Sequence, residues 1–301
     1  MEQDTETVKR AHRRLALLKR TGLFNEAPYG TEITRACSLQ DLQLAYRLVY
    51  DVFLAAGYTT PHECRMRIRI FEALADTATF IAKREGQIIG VLSLVLDSPG
   101  LGLPSDVAFK DELNALRSGG IKLCETTNQA IVPRFRKTAV TTQMMRCCSA
   151  QGLLENRDGI IISVSPSHVG FYELLGFQLL SDVRSYSSRH YDPVVMMCLY
   201  TAELRQRDPT ADLCQAFIAD YLSFKNPFVQ KVKIWKQSAY DGFYEAHELR
   251  KVFVDESKLL ETCTDAEREA VRNNWGEGTY ISVTGAVNGR PKARQVGGNR
   301  R

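Results

Sequence analysis

The sequence predicts an α/β fold in which a mixed central sheet is flanked by helices. Short apolar segments typical of strands alternate with longer segments whose apolar residues recur at helical spacing. A hairpin predicted over residues 79–96 adds antiparallel pairing, so the sheet is expected to be mixed. The 301 residues, 44% hydrophobic and 25% charged, can bury a substantial core. This composition excludes wholesale disorder, a fibrous repeat and a disulfide-stabilised miniprotein.

The chain divides into four predicted parts. Apolar residues at 3-4-3 spacing from Val8 to Leu18 predict an amphipathic helix, and Gly22, Pro28 and Gly30 mark a linker after it. We expect this helix to dock on its own protein, although a twin subunit or an anionic surface would also suit its basic face. The four parts are an N-terminal helix and linker (1–30), an α/β unit (31–201), a mostly helical extension (202–285) and a disordered basic tail (286–301).

Strands and helices follow one another through the α/β unit. Ser38 and Asp41 resemble a capping box that opens the first helix of the unit, and a turn at residues 84–86 separates the hairpin strands. Strands are predicted at 31–37, 79–82, 88–96, 121–132, 159–165, 177–187 and 193–201. Helices are predicted from residue 38, near 62–75, and at 106–117, 137–155 and 167–175.

The extension carries helix signals of its own. Asp208-Pro209 is typical of a helix start, further helices are predicted near 240–260, and Thr264 with Glu267 forms a capping box for a helix that ends by Gly276. Two apolar faces need a partner surface, because exposed stripes of that size are rare on monomers. They consist of Leu213, Phe217 and Tyr221, and of Leu249, Val252 and Phe253. We therefore expect the extension to pack on the α/β unit.

Charge and cysteine usage narrow the class of protein. Lys and Arg number 39 and Asp and Glu 35, so the formal charge of +4 does not require a polyanionic partner. No run of about 20 apolar residues is present to span a bilayer, and no signal-peptide segment is visible, so we expect a cytoplasmic location. The eight cysteines form no C-x-x-C motif and no zinc-ligand spacing with histidine. We expect free thiols in a reducing compartment and no metal site.

Two motifs late in the α/β unit carry a family resemblance. The segment RKTA (136–139) joins a predicted strand to a helix, and FYELLGF (171–177) precedes the last strands. Both resemble motifs of the GCN5-related N-acyltransferases (GNAT), in which an R-x-x-G-x-G/A loop receives the donor's phosphates at a helix N-terminus. The loop here keeps the arginine but has no glycine, which weighs against tight coenzyme A binding by that loop. The resemblance implies a GNAT-type mixed sheet, followed here by the helical C-terminal extension.

Further motifs resemble the autoinducer-synthase branch of that superfamily, and most closely the long-chain N-acyl amino acid synthases. They are the helical R-x-x-Y-x-x-F of residues 47–53 followed by Gly57-Tyr58, Asp97 with Leu103-Pro104, Glu125 on a central strand, and Pro166-Ser167-His168. The resemblance spans about residues 31–200. Autoinducer synthases usually carry an arginine three residues after the glutamate, and Asn128 stands there in this chain. That difference argues against the homoserine lactone branch.

The resemblance implies roles for individual side chains. Glu125 is expected to act as general base and Tyr172 to protonate the leaving thiolate, with His168 as a further catalytic residue. The expected substrate-binding residues are Arg47, Phe53, Asp97 and Asn128. The residues expected to bind the donor's phosphopantetheine are Arg134, Arg136, Lys137 and Thr138. Structural alternatives stay open: ion pairs for Glu125 and Arg47, capping of a loop by Asp97, packing for Tyr172 and no role for His168.

The implied function is transfer of a long-chain fatty acyl group from an acyl-carrier-protein thioester to the amine of an amino acid. No tightly bound cofactor is expected, and acyl-ACP or acyl-CoA serves as co-substrate. Two alternatives are open. One is an acetyl- or acyl-CoA-dependent transferase acting on a small amine or a protein. The other is a non-catalytic GNAT-fold protein that binds a surface through its basic termini. The absence of a nucleic-acid-binding motif argues against a nucleic-acid partner, while peripheral membrane contact stays open.

Overall fold

A mixed sheet of eight strands forms the centre of the part of the chain that the computed structural model describes, residues 2–186, 192–205, 213–240 and 245–285. The strands are β1 (Thr31–Arg35), β2 (Ala78–Arg84), β3 (Gln87–Leu96), β4 (Leu123–Ile131), β5 (Gly159–Val164), β6 (Gln178–Leu179), β7 (Arg184–Ser185) and β8 (Pro193–Tyr200). Their order is β1-β2-β3-β4-β5-β8-β6, and β7 also pairs with β8. Every pairing is antiparallel except that of β4 with β5, which is parallel.

Helices precede, flank and follow this sheet. They are α1 (Glu2–Arg20), α2 (Leu39–Ala55), α3 (Asp106–Ser118), α4 (Ala139–Leu154), α5 (Val169–Leu174), α6 (Ala202–Arg205), α7 (Leu213–Leu222), α8 (Phe228–Tyr240), α9 (Ala246–Arg250), α10 (Leu259–Thr262), α11 (Asp265–Trp275) and α12 (Glu277–Thr284). Short 3₁₀ turns occupy Ile70–Ala73, Pro133–Phe135 and Pro166–His168, and Lys251–Glu256 forms a π-helical turn.

Both faces of the sheet are covered, because successive side chains of a strand point to opposite faces. Ile81 and Val91 share a buried cluster with Tyr46 of α2. Phe80, the neighbour of Ile81, belongs instead to the main core with Met144 of α4. The site described below therefore lies on a sheet that is packed on both faces by helices.

The predicted mixed sheet flanked by helices, with a helical C-terminal region, is confirmed. The individual elements confirmed are the hairpin (β2 and β3), the strands at 121–132 and 159–165 (β4 and β5), the helices at 106–117 and 137–155 (α3 and α4), and the Thr264 capping box that opens α11. Ser38 caps α2 by accepting the N–H of Asp41 (3.1 Å). The carboxylate of Asp41 pairs with Lys83 (2.7 Å) instead of completing a capping box.

The predicted helix near 62–75 is wrong. Arg65 takes a left-handed backbone conformation (φ 48°), residues 66–69 form no regular secondary structure, and only the 3₁₀ turn Ile70–Ala73 follows. The reason lies in the sequence, where Arg65, Arg67 and Arg69 alternate with apolar residues. A period of two belongs to extended chain and places the three arginines on one side.

The predicted strand at 177–187 is interrupted. Its described part forms two short strands, β6 and β7, that both pair with β8 and are separated by residues 180–183. Three predicted features lie outside the described residues: the end of this strand at residue 187, the helix start at Asp208-Pro209 and the tail 286–301.

The first half of the extension packs on the main core. Tyr221 of α7 and Phe228 of α8 are buried in the cluster that contains Met144 of α4. Phe24, which follows α1, contacts Tyr221 edge to face with ring centroids 5.2 Å apart. Leu18 of α1 is buried in the same cluster. The N-terminal helix thus docks on its own protein, as its apolar stripe predicts.

The second half of the extension packs on the turn at residues 70–74. The indole Nε1 of Trp275 donates a hydrogen bond to the Ala73 carbonyl (2.7 Å), and the side chain of Asn274 accepts the N–H of Ala75 (2.8 Å). A separate buried cluster joins Ile70, Ala73 and Leu74 to the apolar face of Leu249, Val252 and Phe253. This half of the extension therefore supports the segment that leads out of residues 65–69.

We expect Trp275→Ala to destabilise the protein by about 2–4 kcal/mol, because it removes a half-buried indole and its hydrogen bond to Ala73. Trp275→Phe keeps a ring in the cluster and is expected to cost about 1 kcal/mol. Urea denaturation followed by the fluorescence of Trp235 measures both. Limited proteolysis should release the 246–285 region faster in the alanine variant. Unfolding midpoints and proteolysis rates equal to those of the unmodified chain would contradict this packing.

Candidate active site

A cavity lies where β4 and β5 stop pairing. Their parallel ladder extends from the Leu123–Gly159 pair to the Glu125–Ile161 pair, and no further pairs follow among the described residues. Beyond that point β4 stays with β3 and β5 stays with β8, so the two strands diverge. A cavity of about 270 Å³ opens between them. The facing edges of the strands turn backbone N–H and C=O groups toward this cavity, where a ligand can bind them.

A bulge in β4 shapes one wall of the cavity. Leu92 of β3 faces both Asn128 and Gln129, since the register passes from Val91–Ala130 directly to Ser93–Thr127. Asn128 takes a left-handed backbone conformation (φ 55°), which asparagine tolerates better than most residues. Its buried side chain is held in place by hydrogen bonds to its neighbours.

Two arginines from the segment 65–69 reach Asn128. The amide oxygen of Asn128 accepts hydrogen bonds from Arg67 (2.7 Å) and Arg69 (3.3 Å), and its amide nitrogen donates to Glu72 (2.8 Å). Arg69 also forms an ion pair with Glu72 at 2.7 Å. Burial opposes ionisation of Glu72, but the charges of Arg69 and Arg67 hold the pKa of its carboxyl below the ordinary value.

Arg67 lies at the cavity wall against an aromatic ring. Its guanidinium stacks over Phe53 at 4.7 Å from the ring centroid, and Phe53 contacts Tyr58 edge to face at 5.8 Å. Burial and the charge of Arg69 lower the pKa of the Arg67 guanidinium to about 9. The group remains cationic at neutral pH, and all of these side chains line the cavity.

Glu125 is a buried carboxyl at the point where the strands separate. Only 2% of its surface is exposed, and one oxygen accepts the backbone N–H of Ser105 at 2.8 Å. Burial raises the pKa of Glu125 to about 7, although the Ser105 hydrogen bond and the charge of Arg69 act in the opposite direction. A carboxyl with this pKa exchanges a proton near neutral pH, as general acid–base catalysis requires.

The loop that presents Ser105 to Glu125 is held by a cluster of charges. Arg117 of α3 binds Asp97 through two hydrogen bonds (2.8 and 2.9 Å) and also pairs with Asp106 (2.7 Å). Asp106 in turn accepts the N–H of Leu103 at 2.6 Å. Asp106 thus holds the loop 98–105 directly, whereas the carboxylate of Asp97 acts only through Arg117. Asp97 does not line the cavity.

Two phenols flank the cavity. Tyr172 donates a hydrogen bond to Gln129 (2.7 Å), and burial raises the pKa of its hydroxyl, so it stays protonated at neutral pH. Burial and the charge of Glu125 likewise raise the pKa of Tyr186, which also lines the cavity. Both tyrosines can act as proton donors to a group that leaves as an anion.

The residues predicted to bind the donor gather at the start of α4. Thr138 caps the helix by accepting the N–H of Val140 (3.4 Å), and Arg136 donates to the carbonyl of Ile131 (3.2 Å). Lys137 has φ 62°, in the left-handed region, and the two glycine positions of the family pattern are held here by Ala139 and Thr141. Arg134, Arg136 and Lys137 are all exposed and form a basic surface beside the helix N-terminus.

The structure brings five of the predicted residues to the cavity: Phe53, Glu125, Asn128, His168 and Tyr172. His168 is exposed at its rim. The remaining predicted residues lie elsewhere. Arg47 is exposed on α2, Asp97 is bound by Arg117, and Arg134, Arg136, Lys137 and Thr138 surround the start of α4. The roles assigned to these residues stay predictions.

Sequence reasoning missed Arg67, Arg69, Ser105 and Tyr186. The two arginines had a signal, because the alternation of arginine with apolar residues over 65–70 indicates one cationic side of an extended segment. Ser105 and Tyr186 had none, since their contacts join loops that are distant in sequence.

The described residues contain neither a candidate metal site nor a candidate membrane-spanning helix. Within the described ranges, no group of three or more His, Cys, Asp or Glu side chains could hold a metal ion. Among the helices of those ranges, none combines the length and the apolar character needed to cross a bilayer.

Comparison with known families identifies the fold and the activity. Residues 44–200, more than half of the chain, match the family described as N-acyl amino acid synthase FeeM. The chain belongs to the FeeM family. It is therefore an N-acyltransferase, and the match covers strands β2 to β8, the cavity, Glu125 and the start of α4. A comparison with curated protein sequences gives no match.

Solved structures of acyltransferases resemble this FeeM-family chain. The FeeM N-acyl amino acid synthase from uncultured soil microbes is 24% identical, with a TM-score of 0.51 over 57% of this chain and 92% of that one. The CoA-dependent acyl-homoserine lactone synthase BjaI is 12% identical (TM-score 0.43; 64% and 88%). An acyl-CoA N-acyltransferase from Pseudomonas aeruginosa is 17% identical (TM-score 0.38; 56% and 97%). The first of these supports the GNAT-type fold.

The pKa of Glu125 predicts how stability changes with pH. The native state holds this proton more tightly than the unfolded chain, so the contribution of Glu125 to the free energy of unfolding falls as pH rises from about 4.5 to about 7. Over that range the loss is about 3 kcal/mol. As pH rises from about 4.5 to about 7, the free energy of unfolding of Glu125→Gln should therefore increase by about that much relative to that of the unmodified protein. Above pH 7 the difference between the two proteins should not change further.

Urea denaturation at a series of pH values tests this. Glu63→Gln, which replaces an exposed carboxyl, is the control and should show the pH dependence of the unmodified protein. If the Glu125→Gln curve also runs parallel to that of the unmodified protein between pH 4.5 and 7, Glu125 does not titrate with a raised pKa.

Proposed function

We propose that this FeeM-family chain transfers a long-chain acyl group from an acyl-carrier-protein thioester to the amine of an amino acid, giving an N-acyl amino acid. The observation that carries the proposal is Glu125, a buried carboxyl with a pKa of about 7 at the point where β4 and β5 separate. An α-ammonium group is mostly protonated at neutral pH, so the reaction needs a base beside the amine. Glu125 supplies that base.

The reaction on this chain starts with the amine. The ionised carboxylate of Glu125 takes a proton from the ammonium group, and the free amine attacks the thioester carbonyl. The N–H of Ser105 holds one carboxylate oxygen, so the other is available for the proton. Because the loop 98–105 is fixed by Asp97, Arg117 and Asp106, the carboxylate keeps this orientation.

The later steps of the reaction use the backbone of β4 and β5 at the cavity and a tyrosine hydroxyl. Backbone N–H groups that the divergence of the strands frees can stabilise the oxyanion that forms as the amine attacks. As the carbon–sulfur bond breaks, a tyrosine hydroxyl protonates the leaving thiolate. Tyr172 is the residue at which the family motif carries this role, and its hydroxyl is protonated at neutral pH.

The basic surface at the start of α4 supports the choice of a carrier-protein donor. Arg134 stacks on Phe135 at 4.9 Å, and the side chains of Arg136 and Lys137 are exposed beside it. Ala139 and Thr141 carry side chains at the two positions where the family pattern has small residues that let a pyrophosphate approach the backbone closely. The single phosphate of a phosphopantetheine arm and the acidic surface of its carrier fit such a surface. We propose that the reaction occurs in the cytoplasm. Acyl carrier proteins are found there, and free thiols such as the exposed Cys37 are typical of that compartment.

Glu125→Gln should lower kcat/KM by about 10²–10⁴-fold while the protein stays folded. The unmodified enzyme should show a pH–rate limb with an apparent pKa near 7, and that limb should be lost in the variant. Steady-state assays from pH 5 to 9 with one carrier-bound acyl chain measure both effects, and Glu63→Gln is the matched control. Turnover by Glu125→Gln that matches the unmodified enzyme across this range would remove Glu125 from the mechanism.

If the donor is a carrier protein, the enzyme should prefer a carrier-bound acyl chain, and reversing the charge of the basic surface at the start of α4 should abolish that preference. The same acyl chain should be used with higher kcat/KM on the carrier protein than on coenzyme A, and the advantage should shrink as salt rises. Arg134→Glu with Lys137→Glu should remove most of the carrier-dependent turnover. Lys110→Glu with Lys233→Glu changes the net charge equally at exposed positions on α3 and α8 and is the control. Equal use of both donors, or no response to the α4 pair, would contradict the proposal.

A further inference from the structure

We propose that Arg67 binds the carboxylate of the acceptor amino acid and is the residue that makes the enzyme prefer a free amino acid over a simple amine, an amino-acid amide or a peptide-bound lysine. The inference rests on the proposed function and assigns a specificity-determining residue to the same cavity. It goes beyond the family match, which assigns no residue to the acceptor.

The contacts of Arg67 carry the argument. Its guanidinium donates one hydrogen bond to Asn128 (2.7 Å) and stacks on Phe53 (4.7 Å). Among the ion pairs of the described residues, none joins Arg67 to a carboxylate within 4.0 Å. A guanidinium has five N–H donors, so most of its hydrogen-bonding capacity faces the cavity that it lines.

Arg67 is the guanidinium of this cavity that has no carboxylate partner among the described residues. Arg69 is paired with Glu72 through an ion pair (2.7 Å) and a second hydrogen bond between the same side chains. Two further carboxyls, Glu125 and Asp192, line the cavity, and neither forms an ion pair with Arg67 within 4.0 Å. The carboxylate of a ligand therefore gives the half-buried Arg67 guanidinium the anionic partner that its neighbours do not supply.

A carboxylate fits this position better than a phosphate of the donor. The planar guanidinium matches a carboxylate through two parallel hydrogen bonds. The donor's phosphate has its own cations, Arg134 and Lys137, at the start of α4. Glu125 lies in the same cavity as Arg67 and also feels the charge of Arg69. An α-amino acid bridges the two groups, with its carboxylate on Arg67 and its ammonium on Glu125.

Three acceptors that differ in one group test this inference. Leucine, leucinamide and isopentylamine share a side chain, and only leucine has a carboxylate. Phenylalanine, its amide and phenethylamine form a second set. The amine of the amino-acid amide is less basic than that of the amino acid, and the amine of the simple amine is more basic. An effect of amine protonation would therefore change the two comparisons in opposite directions, whereas loss of the carboxylate changes both in the same direction.

The unmodified enzyme should use each amino acid with kcat/KM about 10- to 100-fold above its amide and its amine. Arg67→Gln should lose about the same factor with the amino acid and lose nothing further with the amide, because the interaction is already absent. The loss should fall mainly on KM for the acceptor. Arg67→Lys keeps the charge without the paired donors and should retain part of the preference.

Arg65→Gln is the matched control. Arg65 belongs to the same segment, but 71% of its side chain is exposed and its ion pair is with Asp51. This variant should keep the preference for amino acids. Equal use of leucine and leucinamide by the unmodified enzyme would overturn the inference, as would an Arg67→Gln or Arg67→Lys variant with the full preference.

A binding measurement without donor separates this inference from the proposed function. Leucine should raise the unfolding temperature of the unmodified protein more than leucinamide does, and Arg67→Gln should abolish the difference. If that result holds but no acyl transfer occurs, the proposed function fails and the carboxylate site stands. If transfer to amines occurs without any carboxylate preference, the proposed transfer chemistry stands and the role of Arg67 fails.

Discussion

The end of the β4–β5 ladder at Glu125 and Ile161 is the constraint on which the rest of the site depends. A sheet that stayed paired would fill the space between these strands with backbone hydrogen bonds. Because the strands diverge, each keeps a partner on its outer side, and the sheet retains its core while a cavity opens in its middle. Glu125 is the last residue of β4 that pairs with β5, so its buried carboxyl lies where the cavity begins and is shielded from bulk water.

Holding charged groups in such a cavity requires fixed partners. Glu125 is held by the N–H of Ser105, and Ser105 belongs to a loop that the Asp97–Arg117–Asp106 cluster fastens to α3. Further along β4 the Asn128 bulge holds Arg67 and Arg69, while the second half of the extension packs on the turn at residues 70–74. The C-terminal helices thus contribute to the active site indirectly, by supporting the chain segment that carries its arginines.

Much of the fold could be predicted from the sequence, because a strand or helix that buries one face shows a regular spacing of its apolar residues. Glu125 could be predicted as a cavity residue because its motif resembles that of the N-acyl amino acid synthases, and Tyr172 because its motif resembles that of the GNAT superfamily. The helix predicted near 62–75 is wrong because the arginines there recur with a period of two, which belongs to extended chain. The loop contact of Ser105 and the position of Tyr186 could not be predicted, since they depend on how distant loops pack. The ion pair of Asp97 with Arg117 could not be predicted either, and its predicted role in substrate binding stays a prediction.

The central claim is that the cavity between β4 and β5 joins a fatty acyl chain to an amino acid. The most direct test is mass spectrometry of small molecules extracted from cells that express the chain, compared with cells that carry the empty vector. The account predicts a series of N-acyl amino acids that share one amino-acid group and differ by pairs of methylenes in the acyl chain. Extracts in which the expressed, folded protein adds only acylated amines without a carboxylate, or no acylated product at all, would contradict it.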